Sequence, residues 1–458
     1  MYRKIEDYLK QWRLNVNRKP MILRGARQVG KTYIIDKFGI ENYTHYLKIN
    51  FEQDSNLQAV FETNKPQQIV NELSALYNVP ILDHQTLIFI DEIQISPNAI
   101  SALRYFYEQM PNIHIITAGS LLDHSLNEIQ YAMPVGRVEF AYMYPLNFME
   151  FLTAFEETGL VDYIENYRIE NVFSQAIHNK LCDYLRLYFF IGGMPEAVRT
   201  YIETKNLIEV EKVHSSILTS LQYDFAKYGT RKQQEFLKDV LNYCANNIGR
   251  KVKYVSINKN AHSSQLKEAL LKLELSRVLH LVRNTKSTET PITQYLDSDI
   301  FKPIFLDIGL VNSLAKIKLS DIQNLVTDFE GALAEQFVGQ EFIANSNFYL
   351  EQKLYYWHRE SKNSNAEIDY LYQIDNKIFP VEVKSGKRGT LKSLHVFLSE
   401  KGKSTGIRLN LDLPNFGIDL TASLNIQNAI KLKYNLLSLP LYFAGNLNRL
   451  FQNSDIVL

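Results

Sequence analysis

The run Gly25-Ala26-Arg27-Gln28-Val29-Gly30-Lys31-Thr32 constrains this chain more than any other feature in it. It reads G-x-x-x-x-G-K-[ST], follows the short apolar run Met21-Ile22-Leu23 and precedes a helical pattern. A strand, a glycine-containing loop and a helix in that order let backbone N–H groups close around a phosphate. The positive end of the helix adds to that attraction. Lys31 is then placed to reach the β- and γ-phosphates of a nucleotide, and Thr32 to ligate Mg²⁺.

The surrounding pattern supplies the sheet such a loop needs. His45–Asn50 reads as a strand, and residues 87–90 (Leu-Ile-Phe-Ile) are an apolar run bounded by Thr86 and Asp91, as expected for a strand covered on both faces. Residues 113–117 read as another strand. Between the last two, Ile100, Leu103, Phe106, Tyr107 and Met110 recur at helical spacing. Strands alternating with helices predict an α/β fold, an N-terminal P-loop NTPase with a parallel sheet. Asp91, at the carboxyl end of its strand, is placed to hold the metal through water, and Glu92 to polarise an attacking water, which points to hydrolysis. Thr117 or Ser120 is placed to sense the γ-phosphate; the plainer reading is a strand-terminating turn. Arg137 reads either as an arginine finger, in cis or in trans, or as a surface or structural arginine. The trans role requires a homo-oligomer.

The chain has 458 residues, about three domains' worth. Lys+Arg 50 balances Asp+Glu 50, so the whole chain is not a polycation built to coat nucleic acid, although a local basic face is allowed. Two cysteines, Cys182 and Cys244, make neither a disulfide framework nor a four-ligand zinc site, which fits a reducing cytosol. No stretch approaches the roughly 18 apolar residues that cross a bilayer, so a cytoplasmic protein with no membrane partner is expected.

Residues 148–173 and 181–201 carry apolar residues at helical spacing and read as a helical lid or linker. Arg231–Ala245 reads as an amphipathic helix, followed by a basic turn, a second helix opening at Ser263 and a strand at residues 278–282. Helix, turn, helix and wing of this kind read DNA with the second helix, or serve as a packing module between domains. Farther on, a helix opens at Gly331, followed by strands at 354–357, 366–372 and 378–385. Asp369, then Glu382-x-Lys384 with both side chains on one face of a strand, is the arrangement of a restriction-endonuclease-like metal site. Two carboxylates and the intervening carbonyl hold Mg²⁺ while the lysine orients or activates water against a phosphodiester. Glu335 from the preceding helix completes the cluster, and Lys384, Lys387, Arg388 and Lys392 form a basic loop suited to a phosphate backbone or merely a solvated turn.

Nearly the whole chain resembles prokaryotic AAA-type ATPases fused to a C-terminal domain. The resemblance rests on Gly25 to Thr32, the Ile-Asp-Glu-Ile-Gln run at 90–94, Gly136-Arg137-Val138 followed by Tyr144-Pro145-Leu146, the Gly-Gly-Met-Pro-Glu run at 192–196, Asp307-Ile308-Gly309-Leu310, and Ile368-Asp369 with Pro380-Val381-Glu382-Val383-Lys384. It implies ATP binding and hydrolysis, a winged-helix module and a nuclease-like core. The expected organisation is an AAA-type ATPase domain (1–150), a helical lid or linker (151–225), a winged-helix-like module (226–300), an α/β restriction-endonuclease-like domain (301–425) and a tail (426–458). The expected partners are ATP, with Mg²⁺, and DNA met by the winged helix and the C-terminal domain. The competing expectation is a nucleotide-gated interaction protein whose nuclease-like core does not cut. A kinase-like phosphotransferase is disfavoured, because Glu92 favours water as the acceptor.

Overall fold

The computed structural model describes residues 1–119, 133–224, 230–258, 261–316, 328–359, 365–386, 390–426 and 428–452. Ser120, Lys387 and Arg388 lie outside the described residues. The chain forms two compact units. The first comprises Met1–Pro145 with two short segments that return to it, Leu275–Val278 and Ser346–Glu351; the second holds the rest.

The first unit is built on strands β1 (Met21–Arg24), β2 (His45–Asn50), β3 (Thr86–Asp91), β4 (His114–Ala118) and β5 (Glu139–Tyr142), with helices α1 (Ile5–Leu14), α2 (Lys31–Asn42), α3 (Pro66–Tyr77) and α4 (Pro97–Gln109). The sheet runs β2-β3-β4-β1-β5 and every pairing in it is parallel. β3 and β4 are buried along their whole length, which is why they read as unbroken apolar runs. Ile22, Ile49, Ile88, Ile90 and Ile115 meet Leu73, Leu103 and Phe106 in one core, each large side chain contributing about 1.5–3 kcal/mol on burial. Ser96 caps α4, its hydroxyl accepting from the Ala99 N–H, and Pro97 follows at the first helical position. The fifth strand, β5, is four residues long and opens on Glu139, too short and too polar at its start to stand out by pattern. Because all five strands are parallel, their carboxyl ends lie along one edge, where open α/β sheets place their ligands.

The second unit contains helices α5 (Phe148–Ala154), α6 (Thr158–Asn166), α7 (Gln175–Ile191), α8 (Pro195–Thr204), α9 (Leu207–Asp224), α10 (Arg231–Ala245), α11 (Tyr254–Ile257), α12 (Ser263–Leu275), α13 (Ile308–Leu314), α14 (Asp328–Ala344) and α15 (Lys392–Lys401). One sheet joins β6 (Val252–Lys253), β7 (Leu279–Thr285), β8 (Leu296–Phe305), β9 (Leu354–Arg359) and β10 (Ala366–Ile368) in the order β10-β9-β7-β8-β6. β6 and β7 each pair antiparallel with β8, while β7 and β9 pair parallel, so the strands after α12 continue into the strands of the C-terminal third. A second sheet runs β11 (Tyr370–Ile374), β12 (Lys377–Val383), β13 (Thr405–Asn410), β15 (Asn428–Pro440), β14 (Asn415–Ile426).

Two of the sequence motifs far apart in the chain meet here. Asp307 is fully buried; one carboxylate oxygen accepts from the Gly193 N–H at 2.6 Å, and the other caps α13 through Gly309 at 2.9 Å and Leu310 at 3.2 Å. Burial pushes this carboxyl up to about 6 against the pull of those N–H donors and Gln340. Gly192 sits at φ +73, and a Cβ there would strike the Asp307 carboxylate. The Gly-Gly turn and the Asp-Ile-Gly run are therefore one structural joint. Both cysteines are free and buried, and among the described residues no helix is long and apolar enough to cross a membrane.

Candidate functional site

The loop from Gly25 to Thr32 leaves the carboxyl end of β1 and enters α2. A Cβ on Gly25 would collide with the Met143 carbonyl, so only glycine lets the loop turn away from β5 here. Gly30, at φ +96, precedes the first helical residue, Lys31. The N–H groups of the first turn of α2 therefore have no intrahelical acceptor and point off the sheet edge.

Lys31 is buried, and its ammonium donates to the carbonyls of Gly25 and Ala26, each at 2.8 Å. Burial lowers its pKa to about 8; the negative charges of Glu92 and Asp91 oppose that fall, while Arg27 and Arg277 add to it. A phosphate arriving at the loop restores the missing countercharge. Lys31 has to be protonated to bind it, so nucleotide affinity falls as pH rises through about 8, by up to about tenfold per pH unit. Calorimetric titration with a non-hydrolysable nucleotide on both sides of that pH checks this; a flat profile refutes it.

The Thr32 hydroxyl donates to one Asp91 carboxylate oxygen at 3.0 Å, and the Glu92 N–H donates to the other at 3.1 Å. β1 and β3 are separated by β4, and their carboxyl ends bring together residues that lie far apart in sequence. Burial raises the Asp91 pKa, with the Thr32 hydrogen bond pulling the other way. Glu92 has a left-handed backbone at φ +52, a strained conformation for a non-glycine residue, and accepts from the Gln94 amide. A hydroxyl and a carboxylate hydrogen-bonded to each other are the oxygen donors Mg²⁺ takes, so Thr32 and Asp91 fit that ion. Thr117 is buried in β4 and donates to the Met21 carbonyl at 3.3 Å.

Arg137 is not brought to this edge. It lies just before β5, off the amino end of a strand whose Tyr142 pairs with Arg24, and it forms an ion pair with Glu108 at 2.9 Å. Within this chain it stands at the opposite edge of the sheet from the loop. The arginine that sequence reasoning missed is Arg277, in one of the returning segments of the first unit. It is buried at φ +60, pairs with Glu351 at 3.0 Å and lies against the Tyr142 ring at 4.8 Å. Nothing local in its sequence marks it.

The second constellation also assembles, within the second unit. Glu335 of α14, Asp369 between β10 and β11, Glu382 of β12 and Lys384 just beyond it converge. Asp369 accepts from the Val383 N–H at 2.7 Å through Oδ2, and Glu382 Oε1 accepts from Lys384 at 2.5 Å. Glu382 Oε2 is buried with no hydrogen-bond partner. Burial and the Asp369 charge push the Glu382 carboxyl up to about 7, with Lys384 opposing. Two members were not legible beforehand. Lys302 of β8, only 2% exposed, reaches Glu335 at 2.8 Å, Glu367 at 2.8 Å and Asp369 at 3.5 Å. Glu367 also pairs with Lys251 at 3.2 Å. Burial works against the Lys302 charge, yet Glu335, Asp369 and Glu367 outweigh it and hold the pKa well above the ordinary lysine value. The same lysine does not rescue Glu335, whose pKa burial and Asp369 raise to about 8. Among the described residues no three His, Cys, Asp or Glu side chains form a metal cage. What is open beside Asp369 is one oxygen of Glu382, since Glu335 and Glu367 are turned to Lys302.

Residues 17–152 match the AAA domain family, and residues 182–321 and 330–428 each match a domain of unknown function. No curated protein matches the chain. Similar solved structures include the Aeropyrum pernix ORC2 protein in ADPNP–ADP complexes, at 13% identity over 70% of this chain and 95% of that one with a TM-score of 0.35. Drosophila ORC bound to DNA is similar at 11% identity, over 68% of this chain and 85% of that one, with a TM-score of 0.25. AMPPCP-bound DnaA from Aquifex aeolicus is similar at 15% identity, over 58% and 86%, with a TM-score of 0.26. The amino-terminal part of the chain is thus an AAA-type P-loop domain with a parallel sheet.

Proposed function

We propose that this protein is an ATP-hydrolysing switch or motor whose nucleotide cycle repositions a winged-helix module and a nuclease-like core on DNA. The observation that carries the reading is the Thr32–Asp91 hydrogen bond with Glu92 next in the chain, set beside the Lys31 loop. In this reading Lys31 leaves the Gly25 and Ala26 carbonyls for the β- and γ-phosphates. Glu92 takes a proton from water as that water attacks the γ-phosphorus, and ADP leaves. Thr32 and Asp91 would hold Mg²⁺, which supplies charge neutralisation on the phosphates. Ser120 stays a proposed γ-phosphate sensor, and Arg137, at the far edge of its own sheet, is proposed to act only in trans in a homo-oligomer.

The winged-helix reading is supported by the order α10, β6, α11, α12, β7, β8 with β6 and β7 flanking β8 antiparallel. The nuclease-like reading is supported by the buried, partnerless Glu382 Oε2 beside Asp369. Asp369, Glu382 and the Val383 carbonyl would hold a divalent ion there, which supplies Lewis-acid polarisation of a phosphodiester. Lys384, which donates to Glu382, would orient water there, with Glu335 completing the cluster.

The test incubates the protein with Mg²⁺ or Mn²⁺ and linear or circular DNA, with and without ATP, beside Lys384→Ala and Lys31→Ala. The expected result is metal-dependent strand loss that falls by about a hundredfold or more in Lys384→Ala and loses its ATP response in Lys31→Ala. Intact ATP turnover with no cleavage under either metal sinks the nuclease reading and leaves a nucleotide-gated interaction protein.

A further inference from the structure

The acidic cluster of the second unit has two carboxylates beyond the Asp369 and Glu382 pair, and a buried lysine that the Asp–Glu-x-Lys pattern does not contain. Four acids meet there, Glu335, Glu367, Asp369 and Glu382, and they divide into two sets by what their oxygens face. Glu335 Oε2 and Glu367 Oε1 each lie 2.8 Å from the Lys302 ammonium, with Asp369 Oδ1 at 3.5 Å on the same nitrogen. Glu382 takes no part in that set: Oε1 accepts from Lys384, and Oε2 is buried without a partner. Asp369 stands between the two sets, its Oδ2 tied to the Val383 N–H and its Oδ1 only loosely engaged by Lys302.

Carboxylates packed this closely demand cations, because unpaired charge in a buried site is costly. Lys302 supplies one and supplies it permanently. Its stem is enclosed in β8, its ammonium lies 5.5 Å from the centre of the Tyr356 ring, and the Tyr370 hydroxyl fixes the neighbouring backbone by donating to the Glu335 carbonyl at 2.8 Å. Glu382 Oε2 is satisfied by no donor among the described residues and feels the Asp369 charge, so a second positive charge would be stabilised between them.

We infer that Lys302 is the resident second cation of this centre, filling the position among Glu335, Glu367 and Asp369, so that the cluster takes a single divalent ion between Asp369 and Glu382 and not a metal pair. The inference rests on the metal-dependent reading of the core given above. It makes Glu335 and Glu367 holders of Lys302, not metal ligands, and Lys302 a positioning residue that keeps Asp369 aimed at the one ion.

The test counts metal directly. Full-length protein carrying Asp91→Asn, which removes the carboxylate proposed for the other Mg²⁺ position, is titrated with Mn²⁺ without nucleotide, and free Mn²⁺ is followed by electron paramagnetic resonance. One Mn²⁺ per chain is expected, lost on adding Glu382→Gln or Asp369→Asn and kept with Glu335→Gln. Adding Lys302→Met should raise the count to two. Two ions in the Lys302-containing protein, loss of the ion in Glu335→Gln as complete as in Glu382→Gln, or a single ion in folded Lys302→Met each overturn the inference while leaving the metal reading intact. No Mn²⁺ in any variant removes the metal reading itself and the inference with it. Circular dichroism establishes which variants are folded; if Lys302→Met is not, the Lys302-containing protein and Glu335→Gln decide.

Discussion

Glu92→Gln is expected to slow phosphate release from ATP by about 10²–10⁴-fold while leaving nucleotide binding nearly unchanged. The side chain lies one residue beyond Asp91, on a backbone turned left-handed at φ +52. Glutamine keeps the size and the contact with Gln94 but cannot take the proton of the attacking water. Lys31→Ala separates the two roles: it removes the one ammonium that the loop wraps, so both binding and turnover are expected to fall, the latter by about 10²–10³-fold as for other lost charge-stabilising donors. Phosphate release and equilibrium binding of a fluorescent nucleotide, measured on the same preparations, distinguish the variants. Glu92→Gln with unchanged turnover would remove Glu92 from the chemistry.

Lys302→Met is expected to destabilise the second unit by about 3–5 kcal/mol near neutral pH, the cost of leaving buried charge uncompensated. Methionine fills the volume of the stem but leaves Glu335, Glu367 and Asp369 facing one another, with Lys251 still on Glu367. The loss should shrink in acid. The pKa of Glu335 is raised to about 8 in the folded protein, from an ordinary value of 4.5, so folding takes up a proton there. That contribution to stability is fully present below the unfolded value and is lost as pH rises through about 8. Without Lys302 the Glu335 and Glu367 carboxyls are driven further toward the neutral form, which acid supplies. Urea unfolding of both proteins at acidic and at alkaline pH measures this; a loss that does not grow with pH contradicts it.

The amino-acid sequence by itself determined what is carried by contiguous residues. The loop Gly25 to Thr32 is legible because its function is performed by backbone and by neighbours in one turn. β3 and β4 are legible because a strand buried on both faces has no polar positions to interrupt it. Asp91 and Glu92 follow from the end of such a strand, and Asp369, Glu382 and Lys384 from two apolar runs joined by a short turn, Asp369 just before β11 and Glu382 and Lys384 at the end of β12 and just beyond it. Tertiary structure alone decided the rest. β5 needed β1 as its partner to be a strand at all. Arg277 reaches the first unit in a short returning segment, Leu275–Val278, far along the chain from Pro145, and its sequence neighbours say nothing of Tyr142 or Glu351. Lys302 sits in the run Ile300-Phe301-Lys302-Pro303-Ile304, where nothing local tells it from a lysine that points to solvent. Only the pairing of β8 with β7, and the packing of β8 on α14, turn its ammonium inward onto Glu335, Glu367 and Asp369. A buried charge is stabilised by partners that the fold delivers, and partners distant in sequence leave no local periodicity to read.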